Sequence, residues 1–194
     1  DVAGRLSGFS GSLGDGAPRS YSSAIVYDEL GGLRQEKFGT ATPVYNKRRY
    51  NERGQLSEIR VGSTANDDGW NRGAILNVYS LQPGTWTQSR FDNNGNLRKQ
   101  LIYVPNGDNP NADGWWEAAF FYDYDSLNRL AQSREVRNNA NFWVQDYDYD
   151  RWGNRTVNAA NTWGAPKPAL TGSATTNRLA PPAGYAMAYD AAGN

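Results

Sequence analysis

The chain of 194 residues contains no histidine and no cysteine. Those two absences exclude a Ser-His-Asp or Cys-His catalytic group, a histidine metal cluster, a thiolate metal site and any disulfide. An excess of charge of either sign is also missing. Lys+Arg and Asp+Glu each number 20, so the net charge is zero and the electrostatic footprint of a nucleic-acid binder or a basic membrane-surface helix is not there. No run approaches the roughly 18 apolar residues of a membrane span, and no secretory signal pattern occurs within these residues. Neither a GxGxxG fingerprint nor a phosphate loop follows any predicted strand. Large aliphatics are scarce: Leu, Ile, Val and Phe together make 32 residues. That scarcity can flag disorder. Here aromatics reach 13% and sit with the apolar residues in alternating runs, which points to a thin sheet wall in place of a thick core.

What is present is a repeat. Tyr147-Asp148-Tyr149-Asp150-Arg151-Trp152-Gly153-Asn154-Arg155 reads as strand, turn, strand. Tyr147 and Tyr149 alternate with Asp148 and Asp150, so period-2 geometry sends rings to one face and carboxylates to the other. Asp150 opens the turn by accepting the backbone N–H two residues on, and Gly153 supplies a positive φ. The pattern [Tyr/Phe]-[Asp/Asn]-x-x-[Gly/Asn]-x-[Leu/Arg] recurs at Tyr27-Asp28 with Gly31, Tyr50-Asn51 with Gly54, and Phe91-Asp92 with Gly95. It returns at Tyr124-Asp125 with Asn128 and Tyr149-Asp150 with Gly153. Asp1 to Leu6 is the motif without its tyrosine, and Tyr189-Asp190 with Gly193 stops before the last position. Five whole copies and two shortened ones lead to the expectation that residues 1–194 are one array, a window of a longer repeat protein. Whole copies and the last one start 23, 41, 33, 25 and 40 residues apart, the spacing of one or two hairpins per unit.

These residues resemble the YD repeat of the Rhs/YD-repeat family: bacterial Rhs proteins, the C components of Tc toxins, wall-associated proteins and the teneurin extracellular region. The resemblance covers essentially the whole chain, and the Tyr-Asp-x-x-Gly-Asn-Arg form at Tyr149 to Arg155 and the Tyr-Asp-Ala-Ala-Gly-Asn form at Tyr189 to Asn194 are its typical wording. It implies an all-β fold of repeated antiparallel hairpins wound as a continuous spiralling sheet into a hollow shell, which in the bacterial toxins encloses a toxic domain. It implies a bacterial protein that is secreted or at the cell surface. Partners would be the rest of the array and an enclosed toxin domain. The family's self-cleaving region and variable toxic domain match nothing here, so neither activity carries over.

Along the chain, residues 7–20 read as an exposed loop. Strands are predicted over 22–29, 33–38, 44–51, 55–61, 74–81, 85–92, 96–104, 115–125, 129–137 and 141–150, with Pro83-Gly84 as a turn. Beyond Val157, Pro166, Pro168, Pro181 and Pro182 lie among Ala, Gly and Thr, which predicts short strands and loops. No window shows 3.6-residue periodicity, so almost no helix is expected.

Four constellations carry alternative chemistry. Asp123/Asp125 and Asp148/Asp150 are i, i+2 carboxylate pairs roughly 7 Å apart, a separation glycosidases use, but their place at turn starts favours a structural role. Asn109-x-Asn111-x-Asp113-Gly114 imitates the opening of a calcium loop, yet Phe120 stands where a bidentate Glu is needed. The matched elements Thr64 to Trp70 and Asn109 to Trp115 look like equivalent connections. Trp70, Trp115 and Trp116 beside them would be packing or a glycan-stacking surface, and Trp86, Trp116 and Trp143 lie on incoming strands. Asn154-Arg155-Thr156 is a glycosylation sequon by pattern, within the turn. The expectation is a non-enzymatic shell segment with no cofactor and no metal. The other reading is an extracellular adhesive or fibre-forming segment that contacts glycans or neighbouring subunits. Open strand edges would make the isolated chain self-associate.

Overall fold

The computed structural model describes residues 1–67, 69–80, 93–107, 114–173, 175–181 and 183–190. Among them no helix occurs, and the protein is all-β. Eleven strands hydrogen-bond in chain order as one antiparallel sheet that does not close on itself. Two further strands form a separate hairpin. The chain clusters into two compact units, Asp1–Ala119 and Phe120–Asn194.

The first unit holds β1 (Phe9–Gly11), β2 (Arg19–Tyr27), β3 (Leu33–Phe38), β4 (Val44–Tyr50), β5 (Leu56–Gly62), β6 (Gly73–Val78) and β7 (Lys99–Pro105). Among the described strands, 33–38 keeps its expected bounds and the others expected differ by a few residues, while the strand expected over 85–92 lies outside the described residues. Residues 7–20, expected as loop, contain β1 and the first residues of β2. Pairing overrides the Gly/Ser composition there: Phe9, Ser10 and Gly11 stand opposite Ser22, Ser20 and Arg19, and Phe9 packs on Tyr21 with ring centroids 5.6 Å apart. Within β2 the register slips between Ser23 and Val26, and Ala24 takes φ +48°.

β8 (Trp115–Tyr124) spans the division between the units. The second unit continues with β9 (Leu130–Arg137), β10 (Ala140–Tyr149), β11 (Arg155–Val157), β12 (Thr171–Gly172) and β13 (Leu179–Ala180). Among the described residues β11 pairs with Tyr147, Asp148 and Tyr149 of β10. The rest of that edge is closed without a strand. Trp163 exchanges both backbone bonds with Val144, at 2.9 and 3.0 Å. Asp146 donates its N–H to the hydroxyl of Thr162, a residue 1% exposed, and accepts from the N–H of Asn158. Pro166 and Pro168 follow, residues that cannot donate to a ladder.

The described core is thin and largely polar. Ala74, Leu101, Ala118, Ala119 and Val144 are its buried apolar residues, against Lys47, Asn51, Ser57, Glu58, Asn77, Asn93, Ser133, Glu135 and Thr162 among the buried polar ones. Buried polar groups must find partners, and most of these find backbone. Ser57 donates to Arg49 O at 3.0 Å, and Asn77 donates to Leu56 O at 3.0 Å while accepting from Gln100. The buried Lys47 ammonium donates to the carbonyls of Thr64, Asn66 and Gly69.

Candidate functional site

Among the described residues the motif builds one local structure five times, starting at Asp1, Asp28, Asn51, Asp125 and Asp150. In each, the backbone nitrogen of the first residue, an ammonium at Asp1, donates to the carbonyl four residues on, and the N–H three residues on bonds back to its carbonyl. One side-chain oxygen then accepts two backbone N–H groups. Asp125 Oδ1 takes Leu127 at 2.9 Å and Arg129 at 2.8 Å; Asp28 Oδ1 takes Leu30 at 2.9 Å and Gly32 at 2.7 Å. Asp150 receives Trp152 and Asn154, Asn51 receives Arg53 and Gln55, and Asp1 receives Ala3 and Arg5. The fourth residue has to adopt a left-handed backbone, hence Gly31 at φ +86°, Gly54 at +72°, Gly153 at +87° and Asn128 at +60°.

Side-chain chemistry couples successive corners. Tyr149 donates to Leu130 O at 2.8 Å, Tyr50 to Leu33 O at 3.2 Å and Tyr27 to Leu6 O at 3.0 Å. In each case the acceptor is the leucine that closes the preceding corner. Tyr79, outside the motif, reaches Leu56 O in the same way at 3.0 Å. Tyr124 lies half-buried on β8. Phe91, Asp92 and Gly193, together with Trp86, Pro83-Gly84 and the Asn109–Asp113 part of the calcium-like loop, lie outside the described residues. From the corner at Asp92, Gly95 has φ +98°, and Asn93 exchanges amide hydrogen bonds with Gln55, at 2.7 Å in one direction.

The sixth motif position, left open as x in the sequence pattern, does the remaining work. Arg129 binds Asp125 Oδ2 through Nε and Nη2, both at 2.7 Å, and its guanidinium lies 4.2 Å from the Tyr149 ring centroid. Arg5 repeats this with Asp1 and with Tyr27 at 4.4 Å. Asn154 donates to Asp150 Oδ2 and Gln55 accepts from Asn51 Nδ2, each at 2.8 Å. A polar side chain at that position in each of these copies is the signal that sequence reasoning could have used. At Asp28 the sixth residue is Gly32 instead.

A further corner escaped the pattern because it is one residue longer. Ser173 N bonds Arg178 O, Asn177 N bonds Ser173 O, and Asn177 has φ +54°. Tyr189 both donates to Leu179 O and accepts from Leu179 N, and Arg178 lies 5.3 Å from the Tyr189 ring. Asn177-Arg178-Leu179 repeats Asn128-Arg129-Leu130, the visible trace of it. Asp190 is exposed, its carbonyl accepting from Arg178.

The electrostatics run against acid catalysis. The Asp125 carboxyl is held below its ordinary value, first by the Arg129 backbone N–H and then by the Arg129 side chain. Asp150 is likewise lowered, mainly by the Asn154 amide. A general acid needs the opposite shift. Asp123 and Asp148 are engaged separately, the first 3.8 Å from Arg134 Nη1 and the second weakly bonded to Asn158. Among the described residues no cluster of His, Cys, Asp or Glu could hold a metal ion.

Trp70 and Trp115 stack with centroids 4.7 Å apart, and Tyr103 meets Trp70 edge-on at 5.3 Å. The rings therefore spend faces on one another, while Trp116 is 40% exposed. Trp143 instead bonds Glu135 through Nε1 at 2.7 Å.

No family model and no curated protein matches the sequence. Solved structures do match in fold. The crystal structure of TcdB2-TccC3 without its hypervariable C-terminal region aligns with 93% of this chain at 19% identity and a TM-score of 0.66. TcdB2-TccC3-Cdc42 aligns with 92% at 18% identity and a TM-score of 0.63. In both, the chain spans 9% of the neighbour's length. The protein thus has the fold of a segment of the TcdB2-TccC3 chains.

Proposed function

We propose that this chain is a non-catalytic wall segment of a YD-repeat shell that encloses or carries a toxic effector, within a secreted or cell-surface bacterial protein. The carrying observation is the coupling of corner to corner by tyrosine latches along a sheet whose strand order equals chain order. Where the latch is described, one hairpin presents a leucine carbonyl to the next tyrosine, a way for a wall to extend without a thick core. The fold likeness to TcdB2-TccC3 supports the same reading. Its partners would be the neighbouring hairpins of the array and the cargo behind the wall. Carboxylates tuned to stay ionised within turns support a structural role.

The test is electron cryo-microscopy and limited proteolysis of the longest natural polypeptide that contains these residues. A hollow particle with protease-resistant polypeptide inside is expected. A solid rod, or contents digested as fast as the wall, would refute the proposal.

A further inference from the structure

The corner at Asp28 differs from those at Asp1 and Asp125 in what it lacks. In those two, an arginine at the sixth position grips the second carboxylate oxygen and covers the ring of the next tyrosine. At Asp28 that position is Gly32, and a Cβ built there would meet Asp28 Oδ2 at 2.6 Å and Tyr50 Cε2 at 3.0 Å. Asp28 Oδ2 and the edge of the Tyr50 ring therefore close in on Gly32, where a side chain would begin. Among the described residues, Asp28 Oδ2 accepts no hydrogen bond and Tyr50 carries no stacked guanidinium. Beside them opens a recess of about 300 Å³, lined by Asp28, Arg34, Arg48, Arg49, Tyr50 and Asp67.

The three arginines would favour an anion only if their charge were unspent. Each faces a carboxylate: Arg34 lies 2.7 Å from Asp67, Arg48 3.2 Å from Glu36 and Arg49 3.5 Å from Glu58. Among the described residues the groups at this corner without a cationic partner are the Asp28 Oδ2 oxygen and the Tyr50 ring, one anionic and one with a negative π face. Together they fit a planar cation, which can donate to a carboxylate and stack on an aromatic ring at once.

We infer that the recess at Asp28 and Tyr50 is a binding site for a guanidinium supplied in trans, as a small guanidinium compound or as an arginine side chain of another polypeptide. The occupant takes the place that Arg5 and Arg129 hold at their own corners.

The test titrates N-acetyl-arginine methylamide into the 194-residue chain while backbone amide resonances are followed by NMR. Saturable shifts confined to Leu30, Gly31, Gly32 and their neighbours are expected. N-acetyl-citrulline methylamide, of similar shape but uncharged, should bind at least about tenfold more weakly. Asp28→Asn keeps a turn that Asn51 already forms with an amide, and should weaken binding by a similar factor. Gly32→Arg supplies the group in cis and should abolish binding; it serves as the independent check if Asp28→Asn does not fold. An arginine-centred pentapeptide separates the sources: tighter binding than the single residue marks a polypeptide ligand, and equal binding a small one. Absence of saturable shifts, equal response to the citrulline derivative, undiminished binding in both variants, or inorganic phosphate taking the recess in preference would each overturn the inference.

Discussion

Tyr149 donates its phenolic hydrogen to the carbonyl of Leu130 at 2.8 Å, and Arg129 lies across the same ring with its guanidinium 4.2 Å from the centroid. One side chain thus reads two consecutive residues of the preceding corner, one by a hydrogen bond and one by its π face. Tyr27 repeats the pairing with Leu6 and Arg5, while Tyr50 keeps only the hydrogen bond, to Leu33, because Gly32 stands in the arginine's place.

Removing the hydroxyl alone isolates the latch. Tyr149→Phe leaves the part-buried carbonyl of Leu130 without this donor and should cost about 1 kcal/mol. Tyr149→Ala also removes the ring and should cost about 3 kcal/mol. Urea unfolding followed by tryptophan fluorescence measures both, with Tyr185→Phe as a control, because Tyr185 is 75% exposed. Equal stability of Tyr149→Phe and the unaltered chain would show the latch to be idle.

Acid should loosen the corners in a defined window. Asp125 and Asp150 titrate below their ordinary 3.8 when folded, so ionised carboxylates favour the folded chain. That contribution is whole above the ordinary value and disappears as pH falls through the lower, folded value. Asp125→Asn and Asp150→Asn should therefore be less stable than the unaltered chain at neutral pH and converge on it under acid. Denaturant midpoints measured from pH 7 down to about 2 test the convergence; a constant gap would contradict it.

Lys47 is 3% exposed and its ammonium closes three carbonyls of the loop that ends in Trp70. Lys47→Met keeps most of the stem but leaves Thr64, Asn66 and Gly69 without that donor, at a cost of about 3 kcal/mol. The loop also carries Trp70 of the Trp70–Trp115 stack, so the far-ultraviolet circular dichroism exciton couplet of the two indoles should weaken in the same variant. A full couplet with unchanged stability would deny Lys47 that role.

Ala24 holds φ +48° at the slip in β2, a conformation that costs an L-residue about 1 kcal/mol. Ala24→Gly should raise the urea midpoint slightly, by part of that amount, because glycine's larger unfolded-state entropy offsets some of the gain. A lower midpoint would show that the bulge is not strained.

The corners were legible because every bond that makes one lies within five residues. A carboxylate or amide oxygen, two N–H groups and a left-handed residue at the fifth motif position suffice, so Asp125 and Asn128 announce their turn wherever they stand. Strand identity followed from alternation, and the absence of histidine, cysteine and net charge already narrowed the chemistry. The sixth position was not legible as a contact, because its second partner is a ring some twenty residues on, such as Tyr149 for Arg129. The longer corner at Ser173 hid behind one added residue, and Lys47 sat within Asn46-Lys47-Arg48-Arg49, a run that composition assigns to solvent. The sequence by itself therefore determined the local corners and the strands between them, since those depend on neighbours along the chain. Only the tertiary structure decided which tyrosine meets which leucine, which arginine meets which ring, and why Gly32 leaves a recess, because those depend on the register in which hairpins pair.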